Sequence, residues 1–137
     1  MGTRSTIALE FADGTVEQVY CHWDGYLEHN GKILQEHYSD PFKVKQLLAL
    51  GGFSSLEATV EGTAKTAYTG RGEDISINKF KDYEHFLIDG QWEEYDYILR
   101  SDNGVAVWFV SDHDGDFVTL ESAIIDEQDR IAQEERA

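Results

Sequence analysis

A thiol, an imidazole, an indole, a carboxylate and a phenol crowd into "CHWDGY", Cys21 to Tyr26. A cysteine beside a histidine suggests a thiolate–imidazolium nucleophile, and His22 with Asp24 suggests a hydrolytic base. The spacing argues against the first. "VEQVYCHW" is rich in strand formers, and neighbouring strand residues point to opposite faces, so Cys21 and His22 cannot pair. Cys21 then reads as a small buried hydrophobe. The chain has no G-x-S-x-G motif, no glycine-rich phosphate loop with a lysine, and no H-E-x-x-H spacing. No catalytic constellation is legible, and no cofactor is implied.

Two other sets of residues could carry function. Arg4, His22, Trp23, Asp24, Tyr26 and Arg71 combine cations with aromatic faces, the equipment for a planar anion such as a small nucleotide. Arg71 sits in "TGRGED", where glycines on both sides allow a sharp turn or close approach to a ligand. The second set is acidic: Glu93, Glu94, Asp96, Asp112, Asp114, Asp116, Asp126, Glu127 and Asp129. "SDHDGD" offers oxygen ligands at Asp112, Asp114 and Asp116. A calcium loop of the EF-hand type needs glycine at position six, and here Gly115 falls at position four, so no metal site is expected.

Charge favours the acidic set. Of 137 residues, 27 are acidic and 11 basic, a net of −16. Residues 1–71 carry a net of −3 and residues 72–137 a net of −13. That balance argues against direct binding to nucleic acid or to an anionic membrane, both of which need clustered lysine and arginine. It fits either a solvated surface that keeps the protein soluble or a basic protein partner, with the carboxylates standing where phosphates would. A single cysteine excludes an internal disulfide and fits a reducing cytoplasm. No apolar run approaches the roughly 18 residues of a membrane span.

The elements that must position these residues are legible in part. "STIALEF" alternates, and Asp13-Gly14 marks a hairpin to "VEQVYCHW". A three-residue loop, Ala12 to Gly14, pairs Ile7 with Val19 and gathers Ile7, Val19 and Cys21 on one face, with Tyr20 and His22 on the other. Asn30 is placed to cap a short helix, Gly31 to Tyr38. Asp40-Pro41 starts a helix presenting Val44, Leu47 and Leu48, and Gly51 stops it. "KDYEHFLID" reads as a short helix. Asn103-Gly104 joins "EEYDYILRS" to "VAVWFVS" with Tyr95, Tyr97, Leu99, Ala106, Trp108 and Val110 on one face. A helix follows from Thr119, its end either an acidic tail or a homodimer contact. The expected fold is one α+β domain over 1–137: a mainly antiparallel sheet from two hairpins, with helices packed on one face.

Thr3-Arg4-Ser5 and His22-Trp23-Asp24-Gly25-Tyr26, followed by Gly31 and Leu34, with "LLALGGFSSL", "GRGED" and "EEYDYILR...GVAVWFV" further on, are similar to a family of small, mostly uncharacterised accessory proteins of tailed bacteriophages. The resemblance is specific over the first fifty residues and fades after about Phe117. It implies a protein made in a bacterial host cell, in a setting of host takeover or anti-defence, where many small acidic proteins act as inhibitors.

Overall fold

A computed structural model describes residues 3–91, 93–112 and 116–136. The first hairpin joins β1 (Ser5–Glu10) to β2 (Val16–Cys21). Its three-residue loop is held by the Asp13 carboxylate, which accepts from the Thr15 amide at 3.0 Å and the Thr15 hydroxyl at 2.6 Å. Gly14 supplies the left-handed backbone, φ +92°. The register sets Ile7 against Val19 and Ser5 against Cys21, as the alternation predicts.

A π-helical turn (Leu27–Gly31) runs into α1 (Lys32–His37). Asn30 is therefore not a cap. It is fully buried, and its side-chain amide donates to the Ser5 hydroxyl and the Cys21 sulfur. Next comes α2 (Pro41–Leu48), with the Asp40 side chain accepting from the Phe42 amide and Val44, Leu47 and Leu48 buried. Gly51 follows with φ +74°.

A short α3 (Val60–Ala64) and a 3-10 turn (Tyr68–Arg71) lead to β3 (Asn78–Phe80), α4 (Tyr83–Asp89), β4 (Tyr95–Asp102), β5 (Val105–Asp112), β6 (Val118–Thr119) and α5 (Leu120–Arg136). Asn103 and Gly104, both with positive φ, form the two-residue turn between β4 and β5. That is the conformation which matches strand twist in a tight hairpin.

The six strands form one sheet in the order β3-β2-β1-β4-β5-β6. The expected antiparallel sheet covered on one face is incorrect on two counts. At the centre β1 and β4 pair in parallel, Ser5 with Tyr95 through Leu9 with Leu99. The two hairpins thus join along their first strands. Both faces are also covered. On one, Ile7, Val19, Tyr97, Leu99 and Trp108 pack with α1, α2 and α5 through Leu34, Leu47 and Leu120. On the other, Ala8, Val16 and Ile98 pack beneath Phe80 and Phe86, the latter from α4. The cause is β1 itself: Ser5 to Leu9 are all buried, so the strand is central and shielded on both sides. No helix among the described residues is long and apolar enough to cross a membrane.

Candidate functional site

Only part of the second face is apolar. Thr6 lies beside Tyr20 on β2 and Asp96 on β4, and Asp96 beside Ser111 on β5, so four polar residues cross the sheet in one row. Thr6, Asp96 and Ser111 are buried. The Thr6 hydroxyl donates to Asp96 Oδ1 at 2.6 Å, and the Gln18 amide donates to Thr6 at 2.9 Å and to the Gly90 carbonyl at 2.8 Å. The network satisfies each group that burial would otherwise leave without water, and it fixes the chain leaving α4 against the sheet.

Beyond this row the strands open to solvent and the side chains gather into a shelf. His22, two residues from Tyr20, shares a 2.8 Å hydrogen bond between its Nδ1 and the Tyr20 hydroxyl. The Trp23 ring meets His22 edge-on at 4.6 Å. Tyr68 stacks alongside Tyr20 at 6.5 Å, and the Arg71 guanidinium lies 4.7 Å from the Tyr68 ring centre. Burial raises the pKa of Tyr20, an effect the Arg4 charge opposes and the Glu93 charge reinforces. Glu93 is raised by burial as well, with Arg4 and His22 opposing and Glu94 adding to it.

Tyr20 thus stands between His22 and Trp23 on one side and Tyr68 with Arg71 on the other, within the field of Arg4. Asp24 and Tyr26 serve the turn instead. Asp24 adopts φ +58°, and its carbonyl accepts from the Asn30 amide at 3.2 Å. Tyr26 is exposed, with its ring 6.2 Å from His29. Gly25 packs so closely on β1 that a Cβ there would sit 2.7 Å from that of Ser5. Its carbonyl accepts from the Tyr97 hydroxyl at 2.6 Å. Cys21 lies on the opposite face from His22, fully buried, and burial pushes its thiol up to about 11. Burial there favours the neutral thiol over the thiolate.

Tyr20 and Tyr68 are the shelf residues that sequence reasoning missed. Tyr20 was within reach, because it stands two positions before His22 on one strand face. Tyr68 reaches it only through the fold: the Phe53 amide donates to the Tyr20 carbonyl, and the Tyr68 amide to that of Gly52.

The acidic set is not all exposed. Asp96 is 2 % exposed and belongs to the internal network, a correction that follows from the covered second face. Glu93 and Glu94 are half-buried before β4. Asp116, Asp126 and Asp129 are exposed. Glu127 pairs with Arg130, which also holds Glu134. Asp114 and the side chain of Asp112 lie outside the described residues. No group of three or more metal-ligating side chains occurs among the described residues.

Comparison with known proteins yields no matching family model, no matching curated protein and no matching solved structure. The site is therefore read from its own chemistry.

Proposed function

We propose that the protein is a non-enzymatic inhibitor or modulator that occupies a basic, nucleic-acid-binding surface on a host or defence protein inside a bacterial cell. One observation carries the reading. Glu121, Asp126 and Asp129 are exposed along α5, with Asp116 just before it, and none has an ion-pair partner among the described residues. Arg130, the cation midway along that helix, is already held by Glu127 and Glu134. Glu121 to Asp129 spans about 12 Å of helix axis and an arc of about 140° around it, so the helix offers a broad band of uncompensated charge. Such a band steers encounter with a basic face and repels nucleic acid.

The test is capture from bacterial lysate at low salt, followed by elution with duplex DNA. The expected result is a nucleic-acid-binding protein released by the DNA and lost from a variant carrying Asp116→Asn, Glu121→Gln, Asp126→Asn and Asp129→Asn. Recovery of no protein that DNA displaces would sink the reading.

A second reading, sequestration of a small nucleotide, is favoured by the shelf, where Arg71 covers Tyr68 and Trp23 is 43 % exposed. It ranks lower because Arg71 pairs with Glu73 at 3.3 Å and Glu93, beside Glu94, stands in the field of Arg4, leaving no net positive charge for an anion. Thermal-shift screening with nucleotides decides it, because a bound ligand stabilises by RT ln(1 + [L]/Kd). No shift with any nucleotide counts against it.

A further inference from the structure

We propose that the cleft between α5 and the sheet receives an arginine side chain of the partner. The proposal rests on reading the protein as an acidic module for a basic surface, and it names the feature of that surface which would be gripped. The cleft encloses about 260 Å³. That is just under the range typical of small-molecule sites and suits one long side chain. Its floor is apolar, formed by the buried Leu27 and Val110, with Ala123, the 47 % exposed Val118 and the Tyr95 ring also lining it. Asp126, Glu127 and Arg130 line it from α5.

Arg130 does not already fill the role of guest. Its guanidinium bonds Glu127 one turn before it and Glu134 one turn after, so it runs along the helix. Asp126, exposed and without an ion-pair partner among the described residues, is left uncompensated beside the cleft.

An apolar floor, an aromatic ring and an unpaired carboxylate together define the guest. An anion is opposed by the carboxylates, and a purely apolar group would strip water from Asp126 without replacing it. A bare metal ion makes no use of the floor. A long apolar stem ending in a cation satisfies all three features. Guanidinium suits them better than ammonium, because it is more weakly hydrated and stacks on aromatic faces. A centrally bound arginine is also the commonest kind of energetic anchor at protein interfaces, alongside tryptophan and tyrosine.

The test uses N-acetyl-arginine amide as probe, with the lysine and norleucine amides as comparators, read by amide chemical shifts of the full chain. The expected result is saturable shifts at residues 27, 95, 110, 118 and 123 with the arginine probe only. Asp126→Asn should weaken the probe about fivefold, and Ala123→Trp should abolish its binding. Asp126→Asn changes an exposed side chain and keeps the comparison valid if Ala123→Trp fails to fold. An absence of saturable shifts at these residues, or equal binding of the lysine probe, overturns the proposal. With a partner in hand the two ideas separate. Unchanged affinity in Ala123→Trp, together with loss on neutralising Asp116, Glu121 and Asp129, removes the cleft and leaves the acidic face standing.

Discussion

Thr6 and Asp96 stand side by side across the parallel junction of β1 and β4, hydrogen-bonded at 2.6 Å and both buried. The contact couples the two hairpins at the point where the sheet turns from apolar to polar. It also gives Gln18 an acceptor and places Asp96 Oδ1 3.4 Å from the Glu93 amide.

Thr6→Val keeps the shape of the side chain and removes the hydroxyl. It leaves the Asp96 carboxyl and the Gln18 amide each short of a buried partner. The expected loss is about 1–3 kcal/mol, read as a lower urea midpoint with the slope unchanged. A midpoint equal to wild type would show that the network is not under tension from burial.

Gly25→Ala should destabilise through close approach alone. The new Cβ would lie 2.7 Å from the Ser5 Cβ and 2.9 Å from the Thr3 carbonyl oxygen, and backbone cannot yield as a flexible side chain can. Overpacking of this kind costs about 1–3 kcal/mol. Thermal unfolding of the variant measures it, and an unchanged midpoint would contradict the packing described for the turn.

The Cys21 thiol supplies a pH dependence. Burial raises its pKa from 9.0 to about 11, so the folded state holds its proton where the unfolded chain has lost it. Its contribution is complete below pH 9 and is lost as pH rises through 11, amounting to on the order of 2 kcal/mol. Urea midpoints of wild type should therefore fall between pH 9 and pH 11 more steeply than those of Cys21→Ala. Parallel curves would refute the assignment.

Arg100 grips Glu10 with two hydrogen bonds of 3.2 and 3.3 Å and lies 3.6 Å from the centre of the Tyr83 ring. It thereby ties α4 to the two central strands. Arg100→Lys cannot reproduce both the fork and the stacking. A loss of about 1 kcal/mol is expected, with faster amide exchange confined to α4 as the signature. Uniform exchange across the sheet would point to a different role.

Local grammar in the sequence was a sound guide wherever the interaction itself was local. Asp13-Gly14, Asn103-Gly104 and Asp40-Pro41 each specify a turn or cap through their own backbone preferences, and strand alternation separated Cys21 from His22 without any structure. Pairing between distant segments has no such signature. "STIALE" reads the same whether its second edge meets solvent or β4, so the parallel junction was invisible. With it went the covering of the second face, the burial of Asp96 and the arrival of Tyr68 beside Tyr20. Asn30 was misread for a related reason: asparagine before a helix most often caps it, and nothing local shows that Ser5 and Cys21 await its amide.

The parallel junction also has a consequence for synthesis. Thr6 and Asp96 are separated by 90 positions, so β1 leaves the ribosome long before its second neighbour exists. At about 5–20 residues per second the interval is on the order of 5–20 s. During that time the early hairpin holds an unpaired edge on which Ile7, Ala8 and Leu9 are apolar. The nascent chain depends on its late, strongly acidic half to complete the sheet, and any truncation before β4 would leave a sticky fragment in place of a smaller folded protein.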